Sequence, residues 1–255
     1  MPAQKGRSPL NTVLQDDDRA THREERGLRM RKDQYGGEDQ SVTPASPLFG
    51  SFLAVPVDPV PCVPSMIATR LRLELLLQEI SIDLRAVAEV ILSDPGATLQ
   101  IFRLIGEEFP SREDRPTRIE DCIASLSTER WYEAVSLASV PHDGHVLGQW
   151  QHFRLVAQYS RELAGEAEGF SPEEAYLIGL LHQLGTFPSL LGWDHLGVSM
   201  LEQKALGVML ADHFHLPAFL VAAMTDEQGG ARSRWGAILQ TAQQAAQQAQ
   251  RARTE

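Results

Sequence analysis

No run of about 18 apolar residues occurs anywhere in this chain, so no transmembrane helix is expected. The N-terminus is polar and lacks the apolar core of a secretory signal, which argues against secretion and for a cytoplasmic protein. Cysteine is nearly absent: Cys62 and Cys122 are the only two, too few for a disulfide framework or a paired-cysteine metal motif. Both lie among apolar residues and read as buried free thiols. Aromatics make up 7% of the chain against 43% hydrophobic residues overall, a Leu- and Ala-rich balance that favours helices. No alternating strand pattern, internal repeat, Gly-rich phosphate loop or Ser/His/Asp order stands out. Excess positive charge is missing too. The net charge is −11, and an acidic domain repels phosphate backbones, so neither a nucleic-acid nor a membrane partner is expected.

That deficit is not evenly spread. Residues 1–46 carry eight Lys/Arg and eight Asp/Glu, few aliphatics and no sustained period. Such a segment buries too little surface to offset its ordering entropy, and it reads as a disordered tail. Residues 47–64 follow as a Pro-rich lead-in, with Pro56, Pro59, Pro61 and Pro64. Residues 65–255 read as one helical domain, large enough for a sizeable core.

Helix starts punctuate that domain. Ser65 is placed to cap a helix carrying Ile67, Leu71, Leu75 and Leu76 inward. Asp83 caps the next, and Asp94-Pro95 supplies a cap with proline at the first helical position. Thr117 to Glu120 has the spacing of a capping box. A helix is expected around Glu129–Val140 and a longer one from about His145 to Ala164. Ser171-Pro172-Glu173-Glu174 is the strongest start; its helix runs to His182, and Gly185 ends it. Helices near Gly197–Phe214 and Pro217–Met224 follow. The last, Trp235 to about Ala249, offers a thin stripe of Ile238, Ala242, Ala245 and Ala249.

His152 and His182 each fall on a long helix, and an αα-hairpin would bring them together. Spacing alone favours two unrelated histidines. Their surroundings change the weighting. Val90 to Leu104 contains Asp94-Pro95-Gly96; Trp150-Gln151-His152 opens one helix; Ser171 to Gly185 contains His182-Gln183; and Leu206-Gly207 leads to Leu216-Pro217. This succession, over roughly residues 53–250, resembles the HDOD family, the HD-related output domain of bacterial signalling proteins.

The resemblance implies a compact all-α, multi-helix HD-like bundle related to metal-dependent phosphohydrolases. Those enzymes hold divalent metal with a His, a His-Asp pair and a distant Asp. HDOD members usually lack part of the set and serve as regulatory or interaction modules. Here His152 matches the first His and His182 the second, but Gln183 replaces the Asp of the pair. A neutral amide neither offsets a metal's charge nor lowers the pKa of its water as a carboxylate-rich site does. Gln203 stands where relatives often carry His, four residues before Gly207. Thr225 to Gln228 stands where they often carry His-His, leaving Asp226 as the nearby carboxylate. The vestigial positions are therefore His152, His182, Gln183 and Asp226, with no metal, no cofactor and no catalytic residue expected. His213 and His215, at i and i+2, do not share a helix face; His142 and His145 read as a solvated turn.

Two readings follow. The first is a non-catalytic signalling module that binds one or more protein partners, its tail available to fold on contact. The alternative is a divergent phosphohydrolase acting on a nucleotide or cyclic dinucleotide, drawing on His152, His182, Asp226 and Asp194 or His195. A small-molecule sensor using the vestigial cleft is a further variant. If the site holds no metal, His152 and His182 are expected to pair structurally, bonded directly or through a water.

Overall fold

In a computed structural model of the chain, the structure describes residues 62–137, 144–193, 203–226 and 234–254, with the side chains of Asp226, Arg234, Arg253 and Thr254 left outside that description. The 1–46 tail and most of the Pro-rich lead-in lie outside the described residues. So do His142, Asp194, His195, Glu227 and Gln228. Among the described residues there is no strand. The helices are α1 (Ile67–Leu77), α2 (Leu84–Leu92), α3 (Pro95–Glu108), α4 (Ile119–Ala124), α5 (Thr128–Ser136), α6 (Gly144–Glu166), α7 (Pro172–Leu181), α8 (Phe187–Leu190), α9 (Gln203–His213), α10 (Ala218–Asp226) and α11 (Arg234–Thr254). The expected all-α fold is what the chain adopts, and no described helix is long and apolar enough to cross a membrane.

The clearest local signals hold. Asp83 accepts from the backbone N–H of Arg85 and Ala86, and Ser171 from that of Glu174. Asp94 caps α3 through Gly96 and Ala97, with Pro95 at the first helical turn. Each such cap meets a backbone donor that the helix leaves unpaired.

Other expectations are corrected. Ser65 does not cap α1; Met66 holds that position without a side-chain bond, and the Ser65 hydroxyl donates to the Val135 carbonyl, 2.5 Å away on α5. Leu71 and Leu75 face outward at 49% and 66% exposure, because α1 buries Thr69 and Leu73 instead. The Thr117–Glu120 box does not form: Arg118 is the N-cap of α4, with no side-chain bond. Cys62 is exposed, and only Cys122 is a buried thiol, its pKa pushed up by burial to about 12. On α11 the buried stripe is Ile238, Leu239, Ala242 and Ala246 rather than one continuing through Ala245 and Ala249.

The functional region sits on the α6/α7 hairpin, with α11 laid along α6. Small residues set that geometry. A Cβ on Gly179 would lie 2.7 Å from Ala157 Cα and 2.7 Å from Ser160 Oγ, so glycine lets α7 rest directly on α6. Gly185 allows a similar close approach a little further along the chain. Its missing Cβ would meet the Gln203 carbonyl oxygen at 1.9 Å, which fixes the start of α9 against the 3-10 turn Leu184–Thr186. Trp150, Phe153 and Phe187 fill the space below, with centroids 5.2 Å (Trp150 and Phe187) and 5.5 Å (Phe153 and Phe187) apart. Such pairs contribute about 0.5–1.5 kcal/mol each beyond area burial.

Candidate functional site

His182 is the C-cap of α7, and its imidazole turns back onto its own helix. Nδ1 lies 2.8 Å from the Gly179 carbonyl, a distance at which it donates to that oxygen. The bond assigns the tautomer: Nδ1 carries the proton and Nε2 presents a lone pair. Nε2 is sealed from solvent and has no hydrogen-bond partner. The residue as a whole still shows some surface, so it is this atom that is deeply buried. Burial drives the pKa of His182 down to about 4; the Gly179 bond opposes that shift, and His152 reinforces it. The ring is neutral at physiological pH.

His152 lies one face away on α6. Its Nδ1 is 3.2 Å from Oε1 of Gln250, near the end of α11. Phe153 touches both rings: its centroid is 6.3 Å from that of His152 and 6.0 Å from that of His182. The hairpin thus brings the two histidines into one neighbourhood, as their helical placement suggested. No direct hydrogen bond joins them: Nδ1 of each ring has another partner, and Nε2 of His182 has none. Gln183 follows, half-buried, its carbonyl accepting from the N–H and hydroxyl of Thr186. Asp226 ends α10, and its side chain is outside the described residues.

A metal fits this set poorly. One buried lone pair is a single ligand, whereas a catalytic zinc needs three protein ligands and a divalent ion favours a carboxylate among them. Among the described residues no group of three or more His, Cys, Asp or Glu side chains is arranged to hold one. Nothing in the sequence marks Gln250. The Gln-rich composition of α11 is visible there, but nothing local shows that a residue 98 positions away reaches His152.

A second polar centre reads in the sequence only as a cap. Asp94 is fully buried. Besides the N–H groups of Gly96 and Ala97, its carboxylate accepts from Met66 N–H at 2.6 Å and Trp150 Nε1 at 3.1 Å. Burial raises its pKa against the pull of these donors. It ties the N-cap of α1, α3 and α6 together at one carboxylate.

His213 and His215 diverge as expected for i, i+2. His213 is exposed, while His215 sits beyond the end of α9 at φ 55°, its ring filling the space that the missing Gly106 Cβ leaves on α3.

The fold is an all-α bundle with a small-residue α6/α7 crossing and a buried Asp cap. The chain belongs to the HDOD domain family, whose model matches residues 63–193, more than half of its length. Among solved structures it is similar to the MmoQ response regulator of Methylococcus capsulatus strain Bath, at 20% identity and a TM-score of 0.59, over 75% of this chain and 88% of that one. A fragment of the same regulator aligns at 20% identity and a TM-score of 0.59, over 72% of this chain and 84% of the fragment. At that identity the likeness is one of fold. No curated protein matches the chain.

Proposed function

We propose that this chain is a non-catalytic signalling module of the HDOD type, working by association with a protein partner. The observation that carries the reading is that the hydrogen-bond partners of His152 and His182 among the described residues include no carboxylate. His182 spends its N–H on its own helix, Gln183 takes the place of the Asp in the pair, and His152 meets the amide of Gln250. Hydrolysis at a metal centre needs a charge-bearing ligand set to generate hydroxide at neutral pH. The described residues around these imidazoles supply amides and aromatic rings instead. The response-regulator name of a fold neighbour agrees with a signalling role.

One observation favours a second reading, a ligand sensor or divergent hydrolase: the unpartnered Nε2 of His182 is an acceptor with nothing to accept. A phosphodiesterase assay separates the two. The full chain is incubated with excess Mn2+ and either bis(p-nitrophenyl) phosphate or a cyclic dinucleotide. Turnover should equal that of buffer with Mn2+ alone. Turnover above that level which disappears in His182→Ala would overturn the proposal.

A further inference from the structure

Among the described residues six large apolar side chains stand exposed, and four of them, Leu71, Leu75, Ile80 and Ile82, fall between residues 71 and 82. A single exposed leucine is ordinary, whereas a cluster marks a contact surface. The way α1 packs explains the cluster. It rests on α2 and α5 and buries Thr69 and Leu73. That leaves Ala68, Leu71 and Leu75, spaced i, i+3 and i+7, on the outside. Ile80 and Ile82 carry the strip past the end of the helix, and Ile80 is fully exposed.

The charges along the two edges of this strip decide what covers it. On one edge Arg70 and Glu74 pair with each other at 3.4 Å, and Glu74 also accepts from the Tyr132 hydroxyl at 2.8 Å. On the other edge stand Arg72 and Glu79. Both are exposed, and neither has an ion-pair partner among the described residues. They lie i, i+7, about two helical turns apart, which places them on the same edge. Although α1 ends at Leu77, the N–H of Glu79 still donates to the Leu76 carbonyl at 3.3 Å, so the chain keeps winding up to it. One edge of the apolar strip thus carries an unpaired cation at one end and an unpaired anion at the other.

We propose that this face pairs with the same face of a second copy of the chain, the two α1 helices running antiparallel about Leu75. A two-fold interface must be self-complementary, and this edge is. Antiparallel order sets Arg72 of each copy against Glu79 of the other, so both unpaired charges are met twice over. Leu75 then packs on its counterpart, and Ile80 and Ile82 cover Leu71 and the small Ala68. A parallel pair sets like charges side by side instead. A lipid surface or a polyanion satisfies Arg72 alone and repels Glu79. The inference goes beyond the interaction-module reading and does not depend on it.

Sedimentation velocity of the full chain tests it. The chain should dimerise, with a dimer share that rises with concentration up to about 100 μM. Leu75→Glu puts a carboxylate at the centre of the apolar contact and should weaken association at least roughly ten-fold. Arg72→Glu and Glu79→Arg each set like charges against one another and should each weaken it roughly ten-fold. The double variant Arg72→Glu/Glu79→Arg should restore the affinity of the unaltered chain, a rescue that non-specific adhesion of apolar surfaces does not give. All these side chains are exposed, and circular dichroism confirms that the variants remain folded. His182→Ala should dimerise as the unaltered chain does. A chain that stays monomeric, whose face then serves a different partner, would overturn the proposal. So would a Leu75→Glu variant that dimerises as well as the unaltered chain, or a charge swap that fails to restore association.

Discussion

Two buried polar centres lie a short way apart in this bundle, and they are finished to different degrees. At Asp94 the carboxylate meets Met66 and Trp150 as well as the two N–H groups it caps. At His182 one ring nitrogen is bonded to the helix behind it, and the other is sealed with no partner. A buried polar group that a fold depends on is saturated, because each missing bond costs free energy. The contrast separates a saturated centre that ties three elements together from one whose buried ring nitrogen has no partner.

The sharpest way to break that comparison is to remove the saturated centre. Asp94→Ala leaves two N–H groups of α3, the Met66 N–H and the Trp150 indole without their acceptor, and removes a helix cap as well. It should cost about 4 kcal/mol of unfolding free energy in a urea titration. A loss under about 1 kcal/mol would mean that water replaces the carboxylate easily and that the centre is not structural.

The histidine centre should give smaller effects. His182→Ala removes one bond to the Gly179 carbonyl and leaves a gap beside Phe153, for about 1–3 kcal/mol. His152→Ala loses the Gln250 contact, for about 1 kcal/mol. No direct hydrogen bond joins the rings but both touch Phe153, so the double mutant should depart from the sum of the two by only about 0.5 kcal/mol. A coupling well above that, measured by denaturant titration of the three variants, would show a bonded pair.

A pH effect accompanies these changes. The folded pKa of His182, about 4, lies below the ordinary 6.5. Between those values the unfolded chain takes up a proton that the folded one refuses. Stability therefore falls as the pH drops from about 6.5 towards 4, and this contribution stops growing below that. His213 and His215 are shifted downward as well, so the slope of melting temperature against pH should be reduced in His182→Gln, not abolished. An unchanged slope would mean that the ring is not held neutral.

The sequence made the caps legible at Asp83, Asp94 and Ser171 because capping is settled within four residues. It failed where a distant element competes. Ser65 looks like a cap, but Val135, 70 residues on, takes its hydroxyl. Leu71 and Leu75 look like a core stripe, but α1 carries leucines on several faces and its packing on α2 and α5 chooses among them. The histidine site was half legible. The helices that carry His152 and His182 were readable, and the α6/α7 hairpin brought the two rings into one neighbourhood. Their shared contact with Phe153 and the reach of Gln250 were not readable, since both depend on how α6, α7 and α11 pack.

The most direct test of the account is the 15N spectrum of the His182 ring in the full chain at pH 7, recorded without metal and with one equivalent of Zn2+ or Mn2+. The account predicts a neutral ring protonated at Nδ1, with an Nε2 signal that neither metal moves or broadens beyond the effect on the exposed histidines. A selective shift with Zn2+, or selective broadening with Mn2+, at Nε2 of His182 would contradict it and make the site a working metal centre.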